Sequence, residues 1–376
     1  MANMISYLDW RGDLTFMQSR FNEVDNLLLA QMCYAPFEEL VEPDGSNPRT
    51  VEEVANAYFE KYGEADRCDM DAQEIRATEV LAKMAQSNRF RYCTLSFYNA
   101  HTDVAAEKQF AAVVVDIGTD AIYLAYRGTD NTLIGWKEDF NMCYASHLQA
   151  QTEAVAYFQC VARHFPEKKF FLGGHSKGGN LAVYAAVMCE DELKQRILRV
   201  YNNDGPGFRK DIIETKQYRQ VLPKIRTIVP ESSIVGMLLE HEEEYTVVRS
   251  TQSGGMQHDA TSWEVLGRHF IYLESVSAGS RRIDSTISAW LSELSPEDLK
   301  ETVDALFSVL VAAGFSTVSS IQKEPLKNAL ALLREMNHLE PEKKKLITGV
   351  MTALVKEGNR TVRRAIPIGQ ESEEEF

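Results

Sequence analysis

Apolar residues recur at helical spacing early in the chain, at Phe21, Val24, Leu27, Leu28 and Met32, and the stretches 51–62 and 72–86 carry the same pattern. Residues 1–88 therefore read as a helical prelude. From Arg91 the character changes to short β-type runs, 92–98, 110–117 and 122–126, with Gly118-Thr119-Asp120 suited to a hairpin between the last two. Strand and helix then alternate: helix over 151–164, strand 169–174, helix 179–190, strand 197–202, helix 209–218, then strands 225–229 and 245–250. Such alternation predicts an α/β fold with a mostly parallel sheet flanked by helices. From about Ser280 the β signals stop, and 281–292, 296–313, 323–337 and 341–358 all carry helical periodicity, with Pro296, Pro325 and Pro341 near helix starts. The expected division is a domain over 1–279, comprising the prelude and a sheet core over 89–279, and a helical region over 280–376 that ends in an acidic run.

Composition narrows the picture. A chain of 376 residues with 44% hydrophobic residues can bury one large core, and its net charge of −15 disfavours nucleic acid and anionic membranes as partners. The only basic cluster is Arg360-Thr361-Val362-Arg363-Arg364, which reads as a helix cap. No apolar window is long enough to span a bilayer, and the first residues lack the basic start of a secretion signal. The 6 cysteines include no C-x-x-C pair and several sit in apolar segments, which fits free thiols and a cytoplasmic location.

The chemistry enters at Gly174-His175-Ser176-Lys177-Gly178, which follows the apolar run 169–173 and precedes an Ala/Leu/Val helix. A serine at the apex of a strand-to-helix turn is exposed on a strained backbone, and small residues two places away let the flanking chains approach. The helix N-terminus aims free N–H groups at a developing oxyanion. The other reading of the pentapeptide is a tight structural turn. A phosphate loop is excluded, because Gly173 and Gly178 are followed by Gly179-Asn180 and not by Lys-Ser or Lys-Thr. No cofactor or metal is implied.

A serine nucleophile needs a histidine base, and the base needs a carboxylate; on the α/β-hydrolase pattern they follow in the order serine, acid, histidine. Four histidines follow Ser176. His241 lies in a run of glutamates, His269 in a helix-like run and His338 in the helical appendage, whereas His258 follows the last strand in a glycine-containing loop. His258 is the expected base. For the acid, Asp204 stands at the carboxyl end of the strand after the elbow helix, where active-site residues of open sheets gather, although Asp-Gly-Pro-Gly is also a turn sequence. The rival is Glu231, after the next strand. The oxyanion donors expected are the N–H of Lys177 and, from the loop after the strand 122–126, the N–H and hydroxyl of Thr129.

At these residues the chain resembles the lipase class 3 group of α/β-hydrolases. The likeness is carried by Ala125-Tyr126-Arg127-Gly128-Thr129 with the downstream Trp136-Lys137-Glu138-Asp139-Phe140, and by Gly174-His175-Ser176-Lys177-Gly178-Gly179. More narrowly, the elbow, Tyr201-Asn202-Asn203-Asp204-Gly205-Pro206-Gly207-Phe208 and Gln257-His258-Asp259 look like a bacterial lipase-like family without an assigned activity. The resemblance spans roughly residues 15 to 275 and is tight only at the motifs. It implies Ser176 as nucleophile, His258 as base, and Thr129 and Lys177 as oxyanion donors. Two departures stand out: class 3 lipases take their aspartate from the segment after the following strand, where 230–236 offers none, and Lys177 replaces an apolar residue or glutamine. The expected activity is cleavage of small-molecule carboxylic esters. The alternatives are a thioesterase or amidase with the same residues, or an inactive hydrolase-fold protein that holds a protein partner through its C-terminal helices. The run 234–239 reads as an ordinary core or helical segment, or as an acyl-pocket wall.

Overall fold

The structure, a computed structural model, describes residues 2–62, 70–103, 107–130, 132–281 and 295–314. Among them one sheet carries nine strands in the spatial order β1 (Arg49–Thr50), β2 (Thr94–Asp103), β3 (Lys108–Asp116), β4 (Ala121–Tyr126), β5 (Lys169–His175), β6 (Ile197–Asn203), β7 (Ile225–Pro230), β8 (Tyr245–Val248) and β11 (Tyr272–Leu273). β9 (Val265–Leu266) and β10 (His269–Phe270) form a separate antiparallel ladder. From β4 to β8 the strands run parallel, and antiparallel pairs extend both flanks. The β3–β4 hairpin turns at Gly118, whose φ of 72° lies in the region that favours glycine.

Both faces of the central strands are apolar, so both must be covered. Val113, Val115, Tyr123 and Ala125 face a core built with the prelude helices α1 (Met4–Arg11), α2 (Glu23–Met32), α3 (Val51–Lys61) and α4 (Ala72–Gln86). The alternate residues Ala112, Val114, Ile122 and Leu124 face a second core. That core is closed by α6 (Gln149–His164) and α7 (Lys177–Met188), after the shorter α5 (Leu133–Asn141). The expected helix over 209–218 breaks at Thr215, which caps the second of two short helices; α8 (Asp191–Arg196) precedes α9 (Lys210–Ile213) and α10 (Lys216–Val221). Asn22, Thr50 and Asp71 close capping boxes that start α2, α3 and α4.

Residues 268–273, which read as helix-like, are extended instead. Phe270 turns inward against Trp263 at 5.7 Å between ring centroids while His269 and Tyr272 stay outside, and the extended form wins because the segment pairs with β8 and β9. Of the helices expected after 280, the second is α11 (Pro296–Ala312); it packs Val303, Phe307 and Leu310 against Leu133 of α5. The expected helices over 323–337 and 341–358 lie outside the described residues, as does most of 281–292. Among the described residues no helix is long and apolar enough to cross a membrane, and Cys33, Cys93 and Cys189 are buried free thiols while Cys160 is exposed.

Candidate active site

β5 ends at His175 and α7 begins at Lys177, leaving Ser176 between them at φ 57° and ψ −133°. A serine avoids this left-handed region unless its surroundings hold it there. Here the Ser176 N–H donates to the Asn203 carbonyl at 2.9 Å, and the Ser176 carbonyl accepts from Gly179 N at 2.9 Å. The glycines flanking the turn are required by contact. A Cβ on Gly174 would lie 2.4 Å from the Tyr126 carbonyl oxygen and one on Gly178 2.1 Å from the same atom. The elbow therefore rests directly on the end of β4, which leads to Thr129.

Asp204 follows β6 and is fully buried, with φ 52°, and its N–H donates to the Ile228 carbonyl of β7 at 2.8 Å. Its Oδ2 lies 2.7 Å from His258 Nδ1, and its Oδ1 accepts the Ser233 hydroxyl. His258 closes the short turn Gly254–His258. Glu231 stands elsewhere: its N–H donates to the Val248 carbonyl at 3.1 Å, and among the described residues no hydrogen bond joins its side chain to His258. Asp259 pairs with Arg76 of α4 at 2.9 Å. Ser176 itself is 7% exposed, and no hydrogen bond joins its Oγ to His258 Nε2 among the described residues.

Sequence reasoning passed over His175, the residue before the serine. Its buried ring lies 4.6 Å from that of His258, and its Nε2 donates to the His258 carbonyl oxygen at 2.8 Å. Because a carbonyl only accepts, the proton sits on Nε2, and Nδ1 accepts from the Tyr34 hydroxyl at 3.2 Å. Burial, and then the neighbouring His258, push His175 well below the ordinary histidine range, so it is a neutral spacer. Tyr34 follows α2 directly, and nothing in its sequence surroundings marks it.

The Thr129 hydroxyl donates to Asp139 Oδ2 at 2.6 Å, so the hydroxyl expected to face an oxyanion is engaged and the N–H is the donor that Thr129 retains. Asp139 belongs to the Trp136-to-Phe140 motif, and burial pushes its carboxyl up to about 6 against the Lys177 charge and the Thr129 hydroxyl, which pull it down. Lys177 does not reach toward solvent. Its Nζ donates to Glu138 Oε2 at 2.8 Å, with both side chains buried. The segment 234–239 makes a short turn, in which a Cβ on Gly236 would lie 2.4 Å from Asp204 Oδ1; it packs over the acid.

The structure thus brings to one end of the sheet a strained serine at a helix N-terminus and an imidazole bonded to a buried carboxylate. The Mbeg1-like family matches residues 84–308, more than half of the chain. No curated protein matches. Among solved structures the chain is similar to the native Rhizomucor miehei lipase propeptide complex, at 17% identity and a TM-score of 0.36 over 74% of this chain and 92% of that one. It is similar to lipase II from Rhizopus niveus at 19% identity and a TM-score of 0.31, over 44% of this chain and 67% of that one. A further fungal lipase is similar at 8% identity and a TM-score of 0.38, over 68% and 87% of the two chains. The matched span contains the elbow, the strands β4 to β8 and the loop of His258, and the chain, an α/β protein with a parallel sheet centre flanked by helices, belongs to the Mbeg1-like family.

Proposed function

We propose that the chain is a serine hydrolase that cleaves carboxylic esters. Ser176 Oγ attacks the acyl carbon, His258 Nε2 takes its proton and returns it to the leaving alcohol, and Asp204 accepts from Nδ1–H and stabilises the imidazolium. The N–H groups of Lys177 and Thr129 hold the oxyanion, and water repeats the cycle on the acyl-enzyme. The observation that carries this reading is the 2.7 Å contact of His258 Nδ1 with the buried Asp204, beside a serine held at φ 57°. Catalytic hydrogen bonds of unliganded enzymes often close only with substrate bound, so the open Ser176-to-His258 step is compatible with it.

The same open step, together with the 7% exposure of Ser176, favours the second reading, an inactive hydrolase-fold binding protein. A fluorophosphonate probe separates the two. The wild type is expected to be labelled and Ser176→Ala to be unlabelled; an unlabelled wild type, or equal labelling of the variant, refutes catalysis by Ser176. A panel of p-nitrophenyl esters, acyl-CoA thioesters and anilides then tests the substrate class, with the esters expected to turn over fastest.

A further inference from the structure

Lys177 is where the elbow departs from the lipase pattern, and its side chain has a specific destination. The side chain is 1% exposed, and its ammonium donates to Glu138 Oε2 at 2.8 Å and to the Gln109 carbonyl at 3.1 Å. The same Oε2 accepts the Gln109 N–H at 3.0 Å. One lysine, one carboxylate and the backbone N–H and C=O of Gln109 on β3 thus satisfy one another in the interior. Each charged partner adjoins a piece of the proposed oxyanion hole. Lys177 supplies one donor from its own backbone. Glu138 precedes Asp139 on α5, and Asp139 holds the Thr129 hydroxyl at 2.6 Å.

A buried ion pair is a poor device for stability alone, since apolar residues of similar volume commonly do as well; what such a pair can supply is a fixed register between the segments it joins. Oxyanion donors need that register, because their effect depends on holding the geometry of the transition state before it forms. We infer that Lys177 and Glu138 are positioning residues, clamping the elbow to α5 and β3 so that the donors of Lys177 and Thr129 keep one spacing. The inference rests on the serine-hydrolase reading above.

Lys177→Met alone leaves a buried carboxylate unpaired and is expected to lower stability. The double variant Lys177→Met/Glu138→Gln carries the test, because the glutamine amide can accept from the Gln109 N–H and donate to its carbonyl with no charge left over. Its urea midpoint should stay near the wild-type value while kcat for a p-nitrophenyl ester falls roughly 30-fold or more, approaching the loss of one oxyanion donor, with KM within about twofold. Inhibition by a boronic acid analogue of the tetrahedral intermediate should weaken in parallel with kcat/KM. A purely structural role predicts recovery of both stability and kcat, so a folded double variant with kcat within about threefold of wild type overturns the inference alone. A wild type that neither turns over an ester nor labels with fluorophosphonate overturns the hydrolase reading and this inference with it.

Discussion

Asp204→Asn isolates the charge of the acid from its shape. Asparagine is among the few residues that tolerate the left-handed backbone found at position 204, where φ is 52°, so the turn after β6 should survive the substitution. What is lost is the negative charge beside His258 Nδ1, now at 2.7 Å from Oδ2 of a carboxylate that is itself fully buried. At a charge separation of about 4 Å and an effective dielectric near 20, the interaction with the imidazolium formed in the transition state is about 4 kcal/mol. That corresponds to roughly a 10³-fold loss in kcat. If the asparagine turns its NH₂ toward His258, the imidazole also adopts the wrong tautomer, with its proton on Nε2, and the loss extends toward about 10⁴-fold.

The assay is the initial rate of p-nitrophenyl ester hydrolysis at saturation, with circular dichroism and a urea midpoint to establish that the variant is folded. Glu231→Gln is the control, since the Glu231 side chain makes no hydrogen bond to His258, and its kcat should stay within about twofold. A folded Asp204→Asn enzyme with kcat within about tenfold of wild type would refute the reasoning, as would an equal loss in Glu231→Gln.

Asp139 binds a proton more tightly folded than unfolded, about 6 against 3.8, so its ionisation costs stability that is lost as pH rises from about 4 to 6, about 3 kcal/mol in full. Asp139→Asn, which still accepts from Thr129, should therefore gain stability over wild type at pH 8 but little at pH 4; an equal difference in urea unfolding at both values contradicts this. Gly178→Ala puts a Cβ 2.1 Å from the Tyr126 backbone oxygen, which cannot step aside cheaply, and should cost more than about 3 kcal/mol in thermal or urea unfolding. Arg89→Met removes the partner of Asp25, whose carboxylate it meets through Nε at 2.6 Å with both side chains fully buried, and should destabilise by about 3–5 kcal/mol; a midpoint close to wild type would show that the prelude tolerates an unpaired carboxylate.

The parallel centre of the sheet was legible because β4 to β6 are short apolar runs separated by the long helices α6 and α7, the alternation that a parallel sheet requires. The ladder near His269 was not, since six residues cannot carry a clear period and only pairing with β8 and β9 selects the extended form. Chain order led from Ser176 to Asp204, Glu231 and His258, but order cannot choose between two acids that follow neighbouring strands. The choice is made by backbone: the left-handed turn at Asp204 and the missing side chain of Gly236 let that carboxylate into the space that His258 reaches. Lys177 was illegible for a different reason. A lysine in a sequence reads as solvated by default, and only the coincidence of Glu138 and the Gln109 peptide, distant in the chain, gives its ammonium an interior destination.

The loop that carries His258 has few apolar residues with which to pack, so polar links must fix it, and their origins define how large the site is. Some are local: Gln257 Oε1 accepts the Ser232 N–H at 2.6 Å, and the Gln257 carbonyl accepts Trp263 Nε1 at 2.9 Å. Beside the Asp204 carboxylate on Nδ1, further links come from before residue 84, where the Mbeg1-like match begins. Asn3 Nδ2 donates to the Thr261 carbonyl at 3.0 Å, Arg76 pairs with Asp259 at 2.9 Å, and the Tyr34 hydroxyl bonds Nδ1 of the same His175 ring whose Nε2 donates to the His258 carbonyl at 2.8 Å. A general base is useful only when its ring is held to within a fraction of an ångström, and long-range links of this kind are what hold it. The helical prelude therefore does two jobs: it covers one face of the sheet, and it anchors the loop of the proposed base at His258 and at the residues that follow it.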